Sequence, residues 1–175
     1  MNSSSIKFLT GPVGSGKTLK LLIVIDQLVK CVGKKSIYLI KHSFDTRSKK
    51  LEFMSNAGLS CKTNIEVNSD FDLTTIDFTG IRYLIIDEIQ FFSVKQIESL
   101  NKIAHEMDVS IICCGLTTDF RGKIFEPSKK LIEIADEIEQ VTAICMLCKY
   151  SSENNNISLN AVKSMKITTT NNKKS

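Results

Sequence analysis

No apolar run in the 175-residue chain approaches the roughly 20 residues that a helix needs to cross a bilayer, which argues against a membrane-spanning protein. The amino terminus, MNSSSIKFLT, lacks the basic leader and apolar stretch of a secretory signal, so the expected setting is cytoplasmic. Proline occurs only twice, and no segment repeats. An excess of one charge is missing as well. Residues 1–148 carry 18 basic and 18 acidic side chains, and the net +4 comes from five lysines set against Glu153 in residues 149–175. A protein that grips a phosphate backbone concentrates basic charge on its folded surface, so neither nucleic acid nor a membrane is the expected partner. Six cysteines without a secretory signal are expected to be thiols or metal ligands rather than disulfides, and only Cys145 and Cys148 have ligand-like spacing.

Apolar content of 42% is enough for one domain with a proper core. IKFLT, KSIYLIK, IRYLIID and VSIICCG are short buried strands by pattern, and EIEQVTAIC is a fifth. Between them, TLKLLIVIDQLVKC stops at Gly33 and SVKQIESLNKIAHEMD spaces Val94, Ile97, Leu100, Ile103, Ala104 and Met107 as one helical face. A third, shorter helix opens at Pro127. Strands alternating with helices imply an α/β fold, a parallel sheet with helices on both faces. Residues 42–70 have weak periodicity and are expected to form an irregular excursion or a small hairpin. Residues 151–175, rich in Asn, Ser, Thr and Lys, are expected to be disordered.

The stretch GPVGSGKT satisfies G-x-x-x-x-G-K-S/T at every fixed position, between an expected strand and an expected helix. It comprises Gly11, Pro12, Val13, Gly14, Ser15, Gly16, Lys17 and Thr18. Its glycines let successive backbone N–H groups converge on one point, and the helix that follows adds the positive end of its dipole. A phosphate chain is the ligand this suits. Lys17 would reach the β- and γ-phosphates, and Thr18 would offer its hydroxyl to Mg²⁺. YLIIDE then delivers Asp87 to the metal side from a buried strand, with Glu88 next to it as a general base on whatever attacks the γ-phosphate. Water would make the chain a motor-type ATPase; a substrate hydroxyl would make it a kinase.

The text around these residues resembles the thymidine kinases of animal cells, poxviruses and many bacteria, a P-loop, RecA-like family. Over roughly residues 6–150, GPVGSGKT is similar to that family's phosphate loop and KHSFDTR to its second motif, with Lys41, Asp45 and Arg47. DEIQFF is similar to its catalytic strand end, GLTTDFRGKIF to its nucleoside loop, and ADEIEQVTAICMLC to the start of its zinc lobe. The resemblance implies transfer of the γ-phosphate of ATP to the 5′-hydroxyl of thymidine or deoxyuridine, in DNA precursor salvage. Carried over by position, Glu88, Lys17 and Arg47 are catalytic. Asp45, Asp87 and Gln90 join the loop on the ATP side, with Mg²⁺ between Thr18 and Asp87. Phe91, Leu116, Phe120 and Phe125 wall the base pocket, Arg121 is a second cation for the transferred charge, and Phe92 is left open between core and pocket. A homo-oligomer, a tetramer in the family, is also implied.

The likeness breaks in four places. Val13 and Gly14 replace bulkier residues, and Thr117 replaces an acidic one. After Cys148 no Cys or His follows, and two ligands hold Zn²⁺ poorly, so Cys145 and Cys148 are expected to be an incomplete zinc site. Nothing after Tyr150 resembles the family's substrate-closing lasso. The expected organisation is a P-loop kinase domain over residues 1–144, a half zinc ribbon over 145–150 and a tail over 151–175. The alternatives are a catalytically impaired nucleotide-binding relative and a P-loop ATPase.

Overall fold

The computed structural model describes residues 4–48, 50–144, 160–161 and 164. Ten strands and three helices are present among them. β1 (Ile6–Thr10) leads into α1 (Lys17–Val32), and β2 (Ile37–His42) follows. A hairpin of β3 (Glu52–Met54) and β4 (Ser60–Lys62) precedes β5 (Ile65–Val67) and β6 (Tyr83–Ile86). α2 (Val94–Met107), β7 (Ser110–Gly115), α3 (Glu126–Ile134), β8 (Glu137–Gln140), β9 (Ala143–Ile144) and β10 (Asn160–Ala161) complete the order. The main sheet runs β5-β2-β6-β7-β1-β8, and each adjacent pair in it is parallel.

The α/β expectation therefore holds, with α1 on one face and α2 and α3 on the other. Alternation along the strands sorts the core. Leu9, Leu39, Ile85 and Cys114 pack with Leu21 and Ile25 of α1, whereas Phe8, Ile86, Ile111 and Cys113 pack with Ile97, Leu100 and Ile103 of α2 and Leu131 of α3. β7 shows the rule in two adjacent cysteines, one buried under each helical layer.

The helix boundaries have local causes. α1 ends where Gly33, at φ 82°, donates its N–H to the Val29 carbonyl. α2 begins with a reciprocal cap: the Ser93 hydroxyl accepts from the Gln96 N–H while the Gln96 side-chain carbonyl accepts from the Ser93 N–H. The other end of that amide donates to the carbonyls of Asn68 and Phe71, so one capping residue also pins the loop after β5.

Two expectations need refinement. The stretch read as irregular contains the β3/β4 hairpin and also β5, an edge strand whose three residues are too few to show a period. The stretch EIEQVTAIC is divided: β8 joins the main sheet, and β9 pairs antiparallel with β10 instead. Asn160 and Ala161 thus have a place in the fold although their segment was expected to be disordered. Ser164 is described as well, whereas Cys145, Cys148 and the remainder of residues 145–175 lie outside the described residues. No described helix is long and apolar enough to cross a membrane.

The topology positions the site. β1, β2, β6 and β7 all point their carboxyl ends to the same edge, where open parallel sheets bind ligands. β7 lies between the strand that feeds the phosphate loop and the strand that leads into Asp87.

Leu100, fully buried in the larger cluster, offers a direct check of this packing. Leu100→Ala should lower the unfolding free energy by about 2–5 kcal/mol in urea titrations, whereas Ile23→Ala on the exposed side of α1 should change it by less than about 0.5 kcal/mol.

Candidate active site

The phosphate loop adopts the backbone its glycines permit. Gly14 and Gly16 take φ of 78° and 82°, and the Ser15 N–H closes on the Pro12 carbonyl at 3.2 Å. Gly11 is required for a different reason: a Cβ there would lie 2.1 Å from the Val141 carbonyl oxygen, so a side chain would push the loop off the segment after β8. Lys17 is folded inward, donating to the carbonyls of Gly11 at 3.0 Å and Pro12 at 2.7 Å, and burial holds its pKa below the usual lysine value. The Ser15 hydroxyl is buried without a hydrogen-bond partner among the described residues. A loop with a buried, unsatisfied hydroxyl and an inward-turned lysine is chemically incomplete without an anion. The Val13 N–H is taken by the Ser164 hydroxyl at 2.7 Å.

Across β7, the Thr18 hydroxyl donates to Asp87 Oδ2 at 2.9 Å, and both groups are buried. These are two adjacent oxygen donors of the kind a hard divalent cation takes. Cys114 lies against Asp87, and burial followed by that carboxylate's charge raises its thiol pKa far enough to keep it neutral.

Glu88 sits just past the end of β6 in the left-handed region, φ 53° and ψ 47°, with its own N–H bonded to Asp87 Oδ1 at 2.9 Å. A glutamate in this conformation carries strain on the order of 1–2 kcal/mol, which the surrounding contacts must hold. Burial first, then the Asp87 charge, pushes its carboxyl above the usual range, with Arg47 and Gln90 pulling the other way.

Arg47 draws these groups together. Its guanidinium donates to Asp45 Oδ1 at 2.8 Å and Oδ2 at 2.9 Å, to Asp87 Oδ2 at 2.9 Å and to the Thr18 hydroxyl at 3.2 Å, and it pairs with Glu88 Oε1 at 2.9 Å. Burial works to lower its pKa, but the Asp45 hydrogen bonds and the charges of Glu88, Asp87 and Asp45 hold it above its ordinary value. Burial likewise works to raise Asp45, and Arg47 more than offsets this, leaving that carboxyl below its ordinary value.

Lys17, Thr18, Arg47 and Glu88 share one cavity of about 490 Å³. It runs from Gly14, Lys17 and Thr18 past Arg47 and Glu88 to Leu116, and its far wall is the β3/β4 turn, residues 55–57.

Of the four residues expected around a base, Leu116 lines this cavity; Phe91, Phe120 and Phe125 stand outside its lining. Phe91 is half-buried and meets Phe44 edge-on at 6.2 Å. Phe120 is half-exposed beneath the Arg121 guanidinium, and Arg121 pairs with Asp119 rather than reaching the phosphate side. Phe125 caps α3 and bonds back to the Thr117 carbonyl. Phe92, left open before, is core. Lys41 braces the loop after β2 by donating to the carbonyls of Ser48 and Lys50. Gln90 contacts Glu88 and the Leu116 N–H.

Sequence reading passed over Phe44, which is 66% exposed beside Phe91, and the wall at residues 55–57. The first stands inside a motif already noted, one residue before Asp45. The second fell in a stretch whose weak periodicity carried no usable signal.

Comparison with known proteins bears on this site. The family profile described as "Thymidine kinase" matches residues 4–173, past Tyr150, where the motif likeness ended. The thymidine kinase of Encephalitozoon cuniculi (strain GB-M1) is 30% identical over 150 residues, spanning 85% of this chain and 70% of that protein. The enzyme of that name from Enterobacteria phage T4 is 31% identical over 149 residues, spanning 81% of this chain and 75% of its own length. The one from Thermococcus kodakarensis (strain ATCC BAA-918 / JCM 12380 / KOD1) is 30% identical over 147 residues, spanning 82% and 73%.

His42, at the end of β2, gives the site's edge a pH signature. Its ring is fully buried against Phe44, Phe91 and Phe92; Nδ1 accepts the Phe44 N–H, and Nε2 faces the Ser69 hydroxyl. Burial lowers its pKa, with Glu66 opposing. The unfolded chain therefore takes up the proton first as pH falls. The His42 contribution to stability is intact above about pH 6.5 and is lost progressively down to the lower folded pKa. Unfolding titrations between pH 7.5 and 5 should show wild type losing more stability than His42→Gln, by about 1.4 kcal/mol for each unit of pKa depression; parallel curves would contradict it.

Proposed function

The chain belongs to the thymidine kinase family and carries that family's phosphotransferase function, and we propose that Glu88 is the base that activates the 5′-hydroxyl of thymidine or deoxyuridine toward the γ-phosphate of ATP. The observation that carries this reading is the position of Glu88: a half-buried carboxylate, its pKa raised chiefly by burial, on the same cavity as the phosphate loop and Thr18, whose hydroxyl bonds Asp87.

The roles follow from charge and reach. The main-chain N–H groups of the loop and the N-terminus of α1 receive the triphosphate, and Lys17 exchanges its two carbonyl partners for phosphate oxygens. Thr18 and Asp87 would hold Mg²⁺, which supplies charge neutralisation at the phosphates when bound. Glu88 accepts the proton of the attacking hydroxyl; a carboxyl held above its ordinary value is a stronger base than a solvated one. Arg47, already beside Glu88 and Asp87, offsets the charge that develops on the transferred group. Leu116 carries the base side of the cavity, and the loop of residues 116–125 bearing Phe120 and Phe125 supplies the acceptor's remaining contacts.

ADP formation by the purified chain in Mg²⁺ and ATP should depend on thymidine and should stop when Mg²⁺ is chelated. Glu88→Gln should lower kcat by about 10²–10⁴ while leaving the Kd for ATP within about twofold. Thymidine-independent ATP turnover, or a Glu88→Gln variant with wild-type kcat, would refute the assignment.

A further inference from the structure

A residue expected on the ATP side makes different contacts. Gln90 is buried, and both ends of its amide are engaged: Nε2 donates to Glu88 Oε2, and Oε1 accepts the Leu116 N–H at 2.9 Å. The orientation is chemically determined. Flipping the amide would set its oxygen against a carboxylate and its NH₂ against an N–H, losing both bonds. Glu88 is consequently held at both oxygens, Oε1 by Arg47 and Oε2 by Gln90.

The surroundings are shaped to this side chain. A Cβ at Gly115 would stand 2.5 Å from Gln90 Oε1, 2.8 Å from Ile89 Cγ2 and 2.9 Å from the Ile89 N, so only glycine lets the end of β7 come close enough for the Leu116 N–H to be bonded. On its other side the Leu116 carbonyl accepts the Ser128 hydroxyl at 2.6 Å, which ties the start of the same loop to α3. Gln90 is therefore the one described side chain hydrogen-bonded at once to Glu88 and to the first residue of the 116–125 loop.

We propose that Gln90 is a positioning residue: it holds the Glu88 carboxylate in register with the acceptor loop at Leu116, so that the base and the wall of the nucleoside site move as one unit. The inference deepens the reading above and rests on Glu88 being the base. Neither a glutamate nor an apolar side chain at this position can replace it, since glutamate would present an acceptor to a carboxylate and an apolar group would release both partners.

A double-mutant cycle separates this role from others. Gln90→Met, close in volume but without hydrogen bonds, should lower kcat with thymidine by about 10- to 100-fold, a size typical of lost outer positioning contacts, and leave the Kd for ATP within about twofold. In a Glu88→Gln background the same change should have no further effect on the residual rate, because Gln90 acts through Glu88. Gln90→Glu, which keeps the acceptor for Leu116, should be as slow as Gln90→Met. The proposal is overturned if Gln90→Met retains wild-type kcat, if it weakens ATP binding in step with the rate, if its effect persists undiminished in the Glu88→Gln background, or if Gln90→Glu restores the rate. A Glu88→Gln enzyme with full activity would instead remove the reading of Glu88 itself, so the two failures are distinguishable.

Discussion

Three carboxylates and a threonine hydroxyl meet around a single guanidinium, and the rest of the site depends on that arrangement. Asp45, Asp87 and Glu88 are all within hydrogen-bonding reach of Arg47. Without a cation among them, each would raise the others' pKa, and the cluster would spread apart or take up protons. With Arg47 present, Asp45 is held ionised while Glu88 still titrates above its ordinary range, because the cost of burial and the adjacent Asp87 charge outweigh its contact with one guanidinium nitrogen, whereas Asp45 receives a bidentate pair. One cation thus gives two similar carboxylates different characters, an anchor and a base.

The backbone contributes a second constraint. Glu88 could not point into the cavity from a continued strand, since alternation would send it to the face opposite Asp87. The left-handed turn at Glu88 redirects it, and the bond from its N–H to Asp87 helps retain the strained conformation. Gly11 and Gly115 extend the same principle at the ends of β1 and β7. Both are positions where a Cβ would collide with backbone, and both let a loop approach its neighbour closely enough to build the cavity wall.

The fold was legible in sequence wherever a period of two or 3.6 ran long enough. α1 and α2 were expected within one or two residues of their observed bounds, and four of the strands were found in their apolar runs. β5 was missed because three residues cannot establish a period, and EIEQVTAIC reads as one strand because nothing local reveals that the chain after Gln140 leaves the main sheet and β9 pairs with β10. At the site, Lys17, Thr18, Asp87 and Glu88 were legible through spacing and through their places at element ends. Gln90 was expected on the ATP side, and the contacts of its amide with Glu88 and Leu116 could not be read from DEIQFF.

What sequence by itself determined is local: a glycine-rich turn between strand and helix, a carboxylate pair at the end of an apolar run, and an even balance of basic and acidic side chains over residues 1–148. Those features need only a few consecutive residues, so short-range sterics and periodicity suffice to specify them. Tertiary structure decided which of them meet. Arg47 reaches Asp87 across 40 residues and Gln90 reaches Leu116 across 26. Such pairings follow from strand order and from the approach of β7 to the turn after β6, which are properties of the assembled sheet and are encoded in no single stretch of the chain.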